Sequence, residues 1–179
     1  NERYTYNFEG NAQTLDHLLA SPELVSVLSG YDAVHINSEF ATQVSDHDPV
    51  VARFFIPQDL VLTGTSGSNV LVGGAGDDTL TGLAGRDRLT GGDGRDRFVY
   101  TSVVDAGDVI TDFQIGEDHL VVAQLLAKAG YGGSSPLGNG HLGVQYVGAR
   151  TFVTFDADGS AGAGLPRQLV ELLGISSVS

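Results

Sequence analysis

Between Gly64 and Val99 one nine-residue unit is written four times in phase, as GTSGSNVLV, GGAGDDTLT, GLAGRDRLT and GGDGRDRFV. Glycine holds the first place at Gly64, Gly73, Gly82 and Gly91, and the fourth at Gly67, Gly76, Gly85 and Gly94. The sixth place carries Asn69, Asp78, Asp87 and Asp96, and the eighth carries Leu71, Leu80, Leu89 and Phe98. A strict short period confines a chain to a solenoid, in which each unit repeats its neighbour's conformation one step along an axis. The glycines permit the left-handed backbone of a tight turn, and the last three places make a short strand whose eighth-place side chain points inward. The first unit is the weakest copy, because Asn69 replaces the sixth-place acid; the second place also departs, at Thr65 and Leu83. A Gly/Asp-rich tract can also be a flexible linker. A linker, however, has no reason to place an aliphatic or aromatic residue at every ninth position.

This nonapeptide resembles that of the RTX proteins, which bacteria export through one-step type I channels and whose repeats form a calcium-binding β-roll. Turn and strand alternate, so two units complete one coil. Repeats one and three then stack on one side of the roll and repeats two and four on the other. The resemblance implies calcium between stacked turns, and calcium takes roughly six to eight oxygens at 2.3–2.6 Å. The candidate donors are the sixth-place side chains and the turn backbone of Gly64, Ser66, Ser68, Gly73, Ala75, Asp77, Gly82, Ala84, Arg86, Gly91, Asp93 and Arg95. Asp78 with Asp96 is expected to make the better site; Asn69 with Asp87 carries one charge fewer and is expected to bind more weakly. Arg86, Arg88, Arg95 and Arg97 offset most of the tract's acid, so charge repulsion alone does not hold the metal-free tract open. Missing calcium bonds and the backbone entropy of glycine-rich turns matter more.

The whole chain has 179 residues, a formal net charge of −13 and no cysteine. That length allows one or two small domains. The acidic balance argues against a groove that holds nucleic acid by neutralising phosphates, and the absence of cysteine excludes disulfides and thiolate metal sites. No run approaches the ~18 apolar residues of a membrane span, and the opening NERYTYNF lacks the form of a signal peptide.

Residues 1–56 read as strands over Arg3 to Phe8 and Thr14 to Ala20, a helix over Pro22 to Gly30 capped by Ser21, and strands over Tyr31 to Asn37 and Pro49 to Ile56. Within them, Thr14-Leu15-Asp16-His17-Leu18-Leu19 and the later Ser45-Asp46-His47-Asp48-Pro49 resemble the C-terminal end of the endonuclease/exonuclease/phosphatase superfamily, the fold of DNase I. The likeness is nearest to secreted bacterial members described as extracellular nucleases. It implies His47 as the histidine at the scissile phosphate, Asp16 as its orienting carboxylate and Asp46 as the acid on the metal side, with magnesium or a similar divalent ion offsetting developing charge. It assigns no role to His17, His35 or Asp48. A full domain of that family runs to roughly 250 residues, so residues 1–56 would be its C-terminal fragment and catalytically incompetent alone. A β-rich cap over the first coil of the roll is the other reading of this segment.

After the repeats, YTSVVDAGDVITDFQIGEDHLVV resembles the segment that follows the repeats in serralysin-type proteases. That likeness makes Asp105, Asp108, Asp112 and Asp118 candidate calcium ligands, against plain turn and cap acids. Ala123 to Ala129 suggests a short helix and Gly130 to Gly140 a loop, with strands over His141 to Val147, Arg150 to Phe155 and Gln168 to Leu173. Asp156-Ala157-Asp158-Gly159 opens like an EF-hand loop but lacks its glutamate, which favours a hairpin turn. The closing LVELLGISSVS resembles the uncleaved export signal of type I substrates.

The expected fold is mainly β. A parallel β-roll over 64–99 follows a DNase I-like α/β-sandwich fragment over 1–56 and a join over 57–63, and precedes a capping β region over 100–179. The expected function is the C-terminal part of a secreted, extracellular phosphoesterase, a nuclease with nucleic acid as substrate, whose roll folds on calcium after passing the type I secretion machinery. The alternatives are a structural or adhesive calcium-binding module, and a phosphomonoesterase or nucleotidase on the same fold. Open strand edges in residues 1–56 predict dimerisation through them.

Overall fold

Two parallel ladders of short strands, wound alternately by one stretch of chain, occupy residues 61–121 of the computed structural model, which describes residues 6–8, 11–13, 21–22, 25, 28–33 and 50–175. The chain divides into two units, Asn1–Ile56 and Pro57–Ser179.

In the first unit β1 (Tyr6–Phe8) pairs antiparallel with β2 (Asn11–Gln13), and β3 (Leu28–Ala33) with β4 (Val50–Phe54). The helix expected to Gly30 is helical at Pro22 and Val25, where the Val25 N–H donates to the Ser21 carbonyl at 3.0 Å, but the chain is already strand at Leu28. Gly30 is a poor helix residue, by about 1 kcal/mol, and the ladder to β4 satisfies the same backbone groups. The strand expected over Tyr31–Asn37 therefore starts earlier, at Leu28. The strand expected over Thr14–Ala20, and with it Asp16, Asp46 and His47, lie outside the described residues.

In the second unit β5 (Val61–Thr63), β7 (Thr79–Thr81), β9 (Arg97–Val99) and β11 (His119–Val121) form one parallel sheet. The other contains β6 (Val70–Ala75), β8 (Arg88–Asp93) and β10 (Asp108–Ile110), again parallel. Odd and even repeats thus stack on opposite sides. The pairing brings eighth-place residues into line: Leu62, Leu80, Phe98 and Leu120 on one sheet, Leu71, Leu89 and Ile110 on the other. Leu80, Leu89, Phe98 and Ile110 are essentially sealed from solvent, and burial of such side chains is worth about 1.5–3 kcal/mol each.

The roll is longer than its repeats. Residues 57–63, expected as a join, form the first half-coil, because Leu62 stands in the eighth-place register and pairs with Leu80. β10 and β11 add further half-coils beyond Val99. Helix α1 (Ala123–Lys128) then buries Leu125 and Leu126. The last three strands are β12 (Leu142–Val147), β13 (Arg150–Phe155) and β14 (Arg167–Leu173), and the second sheet runs in the order β12-β13-β14-β10-β8-β6. β14 lies parallel to β10 with Leu172 beside Ile110. The apolar closing stretch, expected as an export signal, is therefore core strand as far as Leu173: Leu169, Val170 and Leu172 are all buried.

Candidate metal centre

Each coil is tied to the next by its sixth-place side chain. Asp78 Oδ1 accepts from the Leu60 N–H at 2.7 Å, Asp96 Oδ1 from the Asp78 N–H at 2.9 Å, and Asp118 Oδ1 from the Asp96 N–H at 2.9 Å. On the other stack Asp87 Oδ1 accepts from the Asn69 N–H at 2.7 Å and Asp108 Oδ1 from the Asp87 N–H at 2.9 Å. The partners lie 18 residues apart within the repeats and 21 or 22 apart after them. Asp108 and Asp118 thus hold the sixth place of coils that carry no nonapeptide.

The second oxygens are the chemically significant ones. Asp78 Oδ2, Asp87 Oδ2, Asp96 Oδ2 and Asp108 Oδ2 are all buried and none has a hydrogen-bond partner. Leaving a carboxylate oxygen buried and unpaired is costly unless something else meets it. First-place glycines make room at those oxygens. A Cβ at Gly73 would strike Asp78 Oδ2 and the Gly91 carbonyl; at Gly91 it would strike Asp96 Oδ2. A Cβ at Gly82 would strike Asp87 Oδ2 and stand 3.2 Å from Asp108 Oδ2. In each crease the nearest atom is a carboxylate oxygen. Among the described residues no three His, Cys, Asp or Glu side chains converge on one point, so a cation here must be met by carbonyls with one or two carboxylates. That donor set fits a hard ion such as calcium and not zinc or another soft metal.

The electrostatics point the same way. Burial pushes Asp108 up to about 7, against the Asp87 N–H, which lowers it, and the Asp87 charge, which raises it further. Burial likewise lifts Asp96 to about 6, opposed by the Asp78 N–H and reinforced by Asp118, Asp78 and Asp112. Tyr100, buried beside Asp108, has its phenol pushed well above the usual range by desolvation and then by that carboxylate. Its hydroxyl is near enough to bias Asp108, yet no hydrogen bond of good geometry closes between them.

The remaining expected donors sort by what they touch. Asn69 turns its Oδ1 back onto the Thr65 N–H at 2.6 Å, so the first odd turn closes on itself. The third-place carbonyls of Ala75 and Asp93 accept ladder bonds from Gln58 and Gly76. At the fifth place Asp77 Oδ1 accepts from the Arg95 N–H at 2.9 Å and its other oxygen meets the Arg95 guanidinium at 3.1 Å, which holds Asp77 below the usual carboxylate range. Both side chains are exposed. Ser66, Ser68 and Arg86 are exposed too, and Gly64, Ala84 and Gly82 line their turns.

Asp105 and Asp112, candidate ligands by likeness, accept hydrogen bonds from backbone N–H groups. Asp105 Oδ2 accepts from the Thr101 and Ser102 N–H groups at 2.8 and 2.9 Å and closes a capping box. Asp112 clamps the Gly91 and Gly92 N–H groups at 3.0 and 2.9 Å. In the 156–164 turn Asp156 accepts from the Asp158 N–H at 3.3 Å and Asp158 from the Gly164 N–H at 3.0 Å, as turn acids do. Two members of this architecture escaped the sequence reading: Tyr100, which no period marks, and Asp59, whose Oδ1 accepts from the Asp77 N–H at 2.8 Å. Counting 18 back from Asp77 would have found Asp59.

Comparison with known proteins matches residues 63–98 to four copies of the RTX calcium-binding nonapeptide repeat. Those residues are RTX repeats, and calcium is the ion such repeats bind. No curated protein matches. Among solved structures the chain is similar to the AlgE6R2 subunit of the Azotobacter vinelandii mannuronan C5-epimerase, at 30% identity over 67% of this chain and 85% of that one, with a TM-score of 0.44. It is also similar to the AlgE6R3 subunit of the same epimerase, at 30% identity over 66% of this chain and 74% of that one, with a TM-score of 0.26. Among the described residues no helix is long and apolar enough to cross a membrane.

Proposed function

We propose that the Pro57–Ser179 unit is a structural calcium-binding module, a roll whose stacked turns are locked by calcium seated against the sixth-place carboxylates. The observation that carries this is the set of buried, unpartnered oxygens on Asp78, Asp87, Asp96 and Asp108, each beside a first-place glycine or a stacked acid. Asp78 with Asp96 would hold one ion together with the Gly91 carbonyl. Asp87 with Asp108 would hold another, a pair with one charge more than the Asn69–Asp87 pairing expected on the odd stack. The ion supplies the positive charge that lets Asp96 and Asp108, both raised by burial, stay ionised inside the roll. Affinities of extracellular calcium modules are about 10⁻⁴–10⁻³ M, so such a roll stays open in a calcium-poor cytosol, passes a type I channel unfolded, and folds outside by mass action. Circular dichroism of the full chain in EGTA and then in millimolar calcium tests this. At about pH 8 a large gain of strand signal on adding calcium is expected; a spectrum already complete in EGTA and unmoved by calcium would refute the reading.

For residues 1–56 the likeness of the LDHLL and SDHDP segments to DNase I-like phosphoesterases is the support for a nuclease reading, with His47, Asp16 and Asp46 in the roles given above and magnesium as the ion. A magnesium-dependent nicking assay on the longest natural form of the chain, with His47→Ala as control, decides it.

A further inference from the structure

The outward face of the six-stranded sheet carries a groove of about 550 Å³, within the usual size of a small-ligand site. Strand register lays one row of outward residues across it, Arg88 beside Val109, Val109 beside Glu171 and Glu171 beside Phe152. Next to this row Arg86 packs over Gly107, whose missing side chain leaves the floor open, and Gln168 stands at the same end. Arg150 closes the other end, its Nε 3.2 Å from Glu171. Arg86 and Arg88 enter no ion pair among the described residues.

That concentration of charge is unusual for this chain. It has nine lysines and arginines against 22 acids, yet Arg86, Arg88 and Arg150 line one groove. Asp87, between the two free arginines, also lines the groove, but it is buried with its Oδ1 on the Asn69 N–H and forms no ion pair with either of them. The half-buried Phe152 and Val109 give the groove an apolar floor.

We propose that this groove binds a carboxylate carried on a six-membered ring, with Arg86 and Arg88 holding the carboxylate and Phe152 and Val109 receiving the ring face. A guanidinium fork matches a planar carboxylate with two parallel hydrogen bonds. Glu171 in the wall repels a dianion more than a monoanion, which favours carboxylate over phosphate. The ring can be an acidic sugar, whose hydroxyls would meet the Gln168 amide, or an apolar ring acid, which would use the floor alone.

The test uses the full chain in calcium, following amide shifts in a two-dimensional NMR titration with methyl glucuronide, cyclohexanecarboxylate, acetate and inorganic phosphate. Shifts centred on Arg88, Val109, Phe152 and Glu171 are expected, with a ring carboxylate binding more tightly than acetate. Arg86→Gln with Arg88→Gln should weaken it by about tenfold or more. Arg86→Lys with Arg88→Lys, which keeps charge but loses the fork, should fall between. Phe152→Ala should bring the ring acids down to the level of acetate. Tighter binding of the glucuronide assigns a sugar acid, and tighter binding of cyclohexanecarboxylate an apolar one. Absence of shifts in the groove, equal binding by the Gln variant, or preference for phosphate would overturn the proposal. The calcium response is read separately in the same samples, so failure here leaves the roll reading untouched.

Discussion

A buried aspartate with one oxygen on a backbone N–H and the other without any hydrogen-bond donor can hold either a proton or a cation. Without the ion, burial lifts Asp96 and Asp108 from an ordinary 3.8 to about 6 and about 7, so each keeps its proton below that value. The folded state then keeps protons that the unfolded chain has released, so this part of the stability is full below the unfolded value and is lost as pH rises through about 6–7. After calcium has been stripped and the protein exchanged into calcium-free buffer, circular dichroism should therefore show more strand at about pH 5 than at about pH 8. With calcium the order inverts, because protons compete for the same oxygens, and the calcium midpoint should rise as pH falls below about 7. Tyr100 offers a second check at this scale. Its hydroxyl is buried without a hydrogen-bond partner, so Tyr100→Phe should change the denaturation free energy by less than about 1 kcal/mol, where loss of a made buried bond costs about 1–3 kcal/mol.

The elements of the roll are short strands whose order comes from their turns, and the turns depend on where glycine sits. Gly74 and Gly92 hold the same place in successive even repeats and have φ of 135° and 107°. A Cβ at Gly92 would overlap the Gly74 carbonyl, while one at Gly74 would meet nothing within 4 Å. Gly74→Ala should thus cost only backbone strain, about 1–3 kcal/mol. Gly92→Ala should cost a further ~2 kcal/mol or more, because one coil cannot move off the next. Urea unfolding in saturating calcium measures both; equal losses would mean that the coils do not stack this closely. Leu83 occupies that same place in the third repeat and takes φ 67°, which shows the turn dictating a conformation that its residue resists.

At the scale of the molecule the nonapeptides are the middle of a larger sheet pair. Leu89 is covered by Ile110 and Phe98 by Leu120, and the Asp87 and Asp96 N–H groups are taken by Asp108 and Asp118. A fragment of residues 57–99 would lose all four contacts and end on an open coil. It should remain unfolded by circular dichroism at calcium concentrations that fold the full chain. Phe98, fully buried and 6.0 Å from the Phe113 ring, makes the companion test: Phe98→Ala should cost about 3–5 kcal/mol.

The period of nine determined, from residue order alone, which residues turn, which face inward, and that odd and even repeats part onto two sheets, because identical local chemistry repeated without interruption admits one register. It extended backward to Leu62 for the same reason. It did not reach β10 and β11, whose spacing of 21 and 22 residues breaks the count, so the role of Asp108 and Asp118 as sixth-place acids became visible only when the chain was stacked. Nor did alternation in Gln168–Leu173 say that this strand would run parallel beside β10 and carry the sheet onward to β13. Contacts between residues 62 positions apart, as Ile110 and Leu172 are, have no local signature; which edge is left open, and which strand is apolar enough to close it, are decided by the packed core.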